Sequence, residues 1–134
     1  MRIIVIDGMG GGIGAELCSR LKELDSEIIA LGTNSAATER MIKAGAQRGA
    51  TGENAIRVTV PTGDFVVGPI GIIIINSMMG EITSPMVEAI LSGPGKRVLL
   101  PLQNEHLYIA GAGKENLGRL IDDAIGYIKS QTQT

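Results

Sequence analysis

Ile3-Ile4-Val5-Ile6-Asp7-Gly8-Met9-Gly10-Gly11-Gly12-Ile13-Gly14 is the stretch on which the reading of this chain turns. Residues 3–6 are consecutive aliphatics, the pattern of a strand buried on both faces of a parallel sheet. A turn with five glycines follows. Glycine at that density lets backbone approach a bulky anion and adopt positive φ without steric cost. The helix expected next, running to about Leu24, aims free N–H groups and a positive dipole end at the same point. The guest such a turn suits is a nucleotide or dinucleotide phosphate, held by Gly8, Gly10, Gly11, Gly12, Ile13 and Gly14. Asp7 would repel that phosphate unless its carboxylate turns away to accept N–H bonds of the loop, so a capping role is expected of it.

Working outward, Ile13, Leu17, Leu21 and Leu24 recur at helical spacing. Ile28 to Leu31 predicts a second buried strand, and Thr33, Asn34 or Ser35 can cap a helix that Gly45 stops. Gly49 to Asn54 looks like a glycine-rich connection. Ile56, Val58 and Val60 alternate with Arg57 and Thr59, which predicts a half-exposed strand near the sheet edge. Phe65-Val66-Val67 re-enters the sheet beside the first strand and ends at Gly68-Pro69-Ile70-Gly71. The apolar stretch from Gly71 to Gly80 predicts a short buried helix, although its four isoleucines favour a strand by propensity. Thr83 or Ser84 caps a helix with Pro85 in its first turn, ending at Ser92-Gly93. Strands are predicted at Arg97 to Leu100 and Leu107 to Ala110, and a last helix over residues 116–129. These elements predict one α/β domain over residues 1–129, with a polar tail at 130–134. Its layout is three-layered and mainly parallel, with strand order 3-2-1-4-5 and ligands at the carboxyl edge.

Composition narrows the function. The 134 residues include 44% hydrophobic and 19% charged side chains, as a packed globular domain requires. The net charge of −2, without a basic block and with 2% aromatics, argues against nucleic acid. The stretch from Phe65 to Gly80 is too broken by Gly68, Pro69, Gly71 and Asn76 to span a bilayer, and no leader is recognised at the start. A cytoplasmic protein is expected. Cys18, the single cysteine, is read as a small core residue. No metal-ligand spacing and no Ser/His/Asp constellation is visible, and no catalytic residue is assigned. His106 is read as a surface or loop residue, and Glu53 and Glu81 as acids without a visible partner.

The segment Val5 to Leu21 resembles the cofactor loop of short-chain dehydrogenases and reductases, in its Gly12-Ile13-Gly14 and the small residue at Cys18. That resemblance implies NAD or NADP as cofactor. It stops at the first strand–helix turn, because neither Tyr108 nor Tyr127 has the lysine four residues later that those enzymes use. Over most of its length the chain resembles a family of short bacterial proteins of unknown function with a Rossmann-like layout. The likeness lies in Ile6 to Gly14, Ala30 to Asn34, Gly49 to Ile56 and Gly68 to Ile72. It implies that the loops at one sheet edge act together, and no activity beyond that.

The expected site therefore joins the glycine turn to Thr33 and Asn34 after the second strand, and to Gly68, Pro69 and Ile70 at the switch point of the sheet. NAD sites usually carry an acid at the end of the second strand. Gly32-Thr33-Asn34 has none, which favours NADP over NAD, with Thr33 or Asn34 bonding the 2′-phosphate and Arg40 nearby. The leading expectation is an NAD(P)-type nucleotide-binding protein, a small oxidoreductase or ligand sensor. The alternatives are a structural or regulatory homodimer without nucleotide, joined through the apolar residues 70–80, and a small phosphotransfer or sugar-nucleotide enzyme.

Overall fold

The computed structural model describes residues 1–102, 107–113 and 116–132. Strands and helices alternate: β1 (Arg2–Asp7), α1 (Gly12–Leu21), β2 (Glu27–Gly32), α2 (Ser35–Ala44), β3 (Arg48–Thr51), α3 (Glu53–Thr59), β4 (Phe65–Pro69), α4 (Ser84–Ser92), β5 (Lys96–Leu100) and α5 (Leu117–Thr132). The five strands form one parallel sheet in the order β3-β2-β1-β4-β5, the expected Rossmann-like arrangement. Parallel neighbours cannot be joined by a tight hairpin, so each pair of successive strands is separated by a helical crossover.

The central strand shows why the aliphatic run is needed. Successive side chains point to opposite faces. Ile3 and Val5 enter a core with Leu17, Leu21, Met41 and Ile125. Ile4 and Ile6 enter a second core with Ile56, Val60, Ile72 and Ile90. Thus α1, α2 and α5 cover one face, and α3 and α4 the other. In-phase pairing from Arg2↔Glu27 to Asp7↔Gly32 brings the carboxyl ends of β1 and β2 level. Pairing of Ile3 with Phe65 through Val5 with Val67 fixes β4 on the other side.

Several boundaries differ from expectation. The segment read as a strand at Ile56 to Val60 is helix α3, with a 3-10 turn at Val60–Thr62. A strand would turn Ile56, Val58 and Val60 to one face. Instead Ile56 and Val60, four apart, are fully buried while Val58 is 64% exposed, the helical outcome. The third strand lies earlier, at Arg48–Thr51, overlapping the stretch read as a connection. All four of its residues are exposed at the sheet edge, so it carries no aliphatic run.

Helix α1 ends at Leu21 rather than about Leu24, because Glu23 and Leu24 close tight turns onto Arg20 and Leu21. Residues 71–80 do not form a buried helix. Ile70–Ile73 is a 3-10 turn, and residues 75–81 continue as turns in which Asn76, Met78 and Met79 take positive φ. Ile72 is buried, whereas Ile75 is 51% and Met79 91% exposed. β5 is an edge strand in which only Leu100 is buried. The strand expected at Leu107 to Ala110 reduces to a single bridge at Leu107. Residues 103–106, with His106, lie outside the described residues. The last helix reaches Thr132. Among the described residues no helix is long and apolar enough to cross a membrane.

Candidate functional site

At the carboxyl end of β1 the backbone turns through residues 8–11 into α1. Asp7 is buried and anchors this turn from within: Oδ1 accepts the Gly8 amide at 2.8 Å and Oδ2 the Gly14 amide at 2.7 Å. The carboxylate points into the loop. Burial pushes the Asp7 carboxyl above its ordinary range, against the pull of the Gly14 and Gly8 amides. The charge of Glu81 pushes the same way, and Arg40 opposes it.

The five glycines of the turn divide into two groups. A Cβ at Gly8 would lie 2.5 Å from Thr33 Oγ1, and one at Gly14 2.5 Å from Met41 Sδ. At Gly11, with φ of 74°, it would lie 2.8 Å from Ala37 Cα. Packing therefore demands glycine at these three positions. Gly10 and Gly12 are different, since the nearest atom to a Cβ there is Arg40 Nη1, at 3.9 and 3.4 Å. The same nitrogen donates to Gly10 O at 3.3 Å, so the guanidinium lies across the head of α1. The first turn of that helix holds no acidic residue. Its Gly12 and Ile13 amides are not among those that Asp7 and Glu81 take.

Thr33 and Asn34 follow β2 beside the turn. The Thr33 amide donates to Asp7 O at 3.0 Å, joining the ends of β1 and β2. Asn34 Oδ1 caps α2 through the Ala37 amide at 2.9 Å, and its Nδ2 donates to Met9 O at 2.9 Å. The sequence left Glu81 without a partner; it is the residue that closes this cluster. Its Oε1 accepts from Thr33 Oγ1 at 2.5 Å, from the Met9 amide at 2.8 Å and from Asn34 Nδ2 at 3.0 Å. The bonds from Thr33 and Met9, with a smaller one from Asn34, hold the Glu81 carboxyl below its usual range despite partial burial.

Gly68 and Pro69 end β4 next to β1, where a Cβ on Gly68 would come 2.5 Å from Ile6 O. Ile70 opens the 3-10 turn that leads towards Glu81. Met78, in that segment, bridges the two parts: its Sδ packs at Gly8 and its Cε at Gly71. Because α1 leaves β1 towards one face and α4 follows β4 on the other, these loops meet at the switch point of the sheet.

Other candidates resolve as structure. Cys18 is fully buried, and burial together with the Asp7 charge pushes its thiol up to about 12. Glu53 accepts from Thr83 Oγ1 at 2.7 Å, tying the starts of α3 and α4 together. Among the described residues no group of three His, Cys, Asp or Glu is arranged for a metal ion. A separate groove of about 280 Å³ lies beside β3, lined by Arg2, Arg48, Val58 and Thr62 among others, and borders none of the expected site residues.

Fold and site together define an open parallel α/β protein of Rossmann-like form, with a glycine turn at its switch point. Its family follows from a match over residues 2–133 to the model of a domain of unknown function, DUF3842, and the chain belongs to that family. No curated protein and no protein of solved structure matches it.

Proposed function

We propose that this protein binds a nucleotide or dinucleotide of the NAD(P) type, its phosphates against the glycine turn and the head of α1. The observation that carries this reading is the pair Gly10 and Gly12. Packing does not require glycine at either, and both face the Arg40 guanidinium. Backbone amides, a helix dipole and a cation converge there, and together they favour a phosphate group. The inward-turned Asp7 supports it, since its charge is spent on the Gly8 and Gly14 amides. On this reading the protein serves as a small oxidoreductase or a ligand sensor.

Thermal shift with NAD, NADP, ATP and FMN tests the reading. At least one should raise the melting temperature, since a ligand at a hundred times its Kd stabilises the folded state by about 2.7 kcal/mol. Gly12→Val, which crowds the Arg40 guanidinium and the anion seat, should abolish the shift and leave the fold. Silence from every ligand at millimolar concentration would overturn the proposal. It would favour the second reading, a structural homodimer, for which the exposed Ile75 and Met79 are the supporting observation.

A further inference from the structure

The end of β2 lacks an acid in sequence, but a carboxylate stands there in space. Glu81 arrives on the segment that follows β4 and sets its Oε1 among Thr33 Oγ1, Asn34 Nδ2 and the Met9 amide. These donors come from the residues following β2 and from the glycine turn, the two walls between which a dinucleotide's adenosine ribose sits in this fold class. All three bonds fall on Oε1. Among the described residues Oε2 accepts none, and the side chain is only half buried, so one carboxylate oxygen remains for an incoming donor.

The segment that carries Glu81 is built to hold it. Asn76 N donates to Ile82 O and Ile82 N to Ser77 O, while Ser77 Oγ donates to Gly71 O. Ile82, the next residue, is fully buried and anchors the segment in the core. Met78 and Met79, both at φ 56°, accept a left-handed backbone that costs side-chain-bearing residues about 1–2 kcal/mol each. Such outliers persist where the surrounding structure over-determines them, and here they bend the chain back towards the glycine turn.

We propose that Glu81 supplies the carboxylate that β2 lacks and so selects, given the nucleotide reading above, a ligand with a free ribose 2′,3′-diol: NAD rather than NADP. The diol hydroxyls donate to Oε2, as they do to the acid of other NAD sites. A 2′-phosphate in the same position faces a fixed negative charge. It also finds the Thr33 hydroxyl and Asn34 amide already donating to Glu81 and Met9. Arg40 does not reverse this preference. Its guanidinium lies at Gly10 and Gly12, on the phosphate side of the turn, and it acts on Asp7, whereas Glu81 answers to Thr33, Met9 and Asn34.

The test is isothermal titration of the whole chain with NAD and NADP, and with ADP and 2′-deoxy-ADP. The expected result is NAD binding tighter than NADP by about tenfold or more, because like charges brought together in a site are strongly disfavoured. ADP should also bind tighter than its 2′-deoxy analogue. Glu81→Gln should bring the NAD:NADP ratio close to one, chiefly by improving NADP. The wild-type series decides the matter even if that variant does not fold. NADP binding equal to or tighter than NAD, or a ratio unmoved in Glu81→Gln, overturns the role of Glu81 and leaves nucleotide binding intact. Absence of binding by all four ligands overturns both.

Discussion

Asp7 and Gly14 are tied across the glycine turn, the carboxylate Oδ2 of the first accepting the amide of the second at 2.7 Å. The bond runs from the last residue of β1 to the first turn of α1, and the Gly8 amide on Oδ1 completes it. A buried acid thus does from within what a serine or aspartate N-cap does from outside, since the N-cap residue of α1 is Gly11, with no side chain to cap it. The charge of Glu81 raises the Asp7 carboxyl further, beyond what burial does, whereas the bonds from Thr33 and Met9 hold the Glu81 carboxyl low, so the two acids are shifted in opposite directions.

That opposition has a measurable sign. Asp7 has a raised value when folded, so its contribution to stability is fully present below its unfolded value and is lost as pH climbs through the folded one. Glu81 has a lowered value, so its contribution is present above its unfolded value and is lost as pH falls through the folded one. Urea unfolding across the acid range should show the wild-type advantage over Asp7→Asn shrinking as pH rises. The advantage over Glu81→Gln should grow. Parallel slopes in the two variants would contradict the assignment.

The division among the glycines predicts unequal tolerance to alanine. Gly11→Ala forces a Cβ against Ala37 backbone at positive φ and should cost about 1–3 kcal/mol. Gly12→Ala meets only the end of the Arg40 side chain and should change the melting temperature little. Equal losses by differential scanning calorimetry would mean that Gly12 too is held by packing.

Cys18 should be inert in the folded protein. Its thiol is buried and raised to about 12, so a chromogenic disulfide reagent at mildly alkaline pH should react only when denaturant is added. Rapid labelling without denaturant would show that α1 opens from the sheet far more readily than its burial implies.

Helix α3 offers the sharpest contrast between neighbours. Ile56→Ala removes a fully buried side chain and should cost about 2–5 kcal/mol. Val58→Ala, at a position 64% exposed, should stay within about 0.5 kcal/mol of wild type. If this segment were instead a half-exposed strand with Ile56 and Val58 on one face, the two losses would be similar.

The same contrast explains what the sequence could tell and what it could not. The aliphatic runs of β1, β2 and β4, the Asn34 cap of α2 and the Thr83–Pro85 start of α4 all carry local signals. β3 carries none, because an exposed edge strand of Arg48, Gly49, Ala50 and Thr51 has no apolar side chain to hide. In α3 the exposed Val58 between two buried aliphatics imitates a two-residue period. The four isoleucines 72–75 mislead in a similar way, being divided between core and solvent by a turn. Glu81 was beyond reach for another reason. Its partners Thr33 and Asn34 lie 48 and 47 residues away, and only the closed fold brings them together.

The position of β1 at the middle of the sheet bears on how the molecule is made. β1 is synthesised before both of its sheet neighbours, and the second of them, β4, begins only at Phe65. Until then a nascent chain can pair β1 with β2 and β3 on one flank, while the other flank shows open amides and carbonyls beside an aliphatic surface. Fragments that stop short of residue 65 should therefore be sticky in the cell and claimed by chaperones, and release from them should coincide with emergence of β4 from the ribosome.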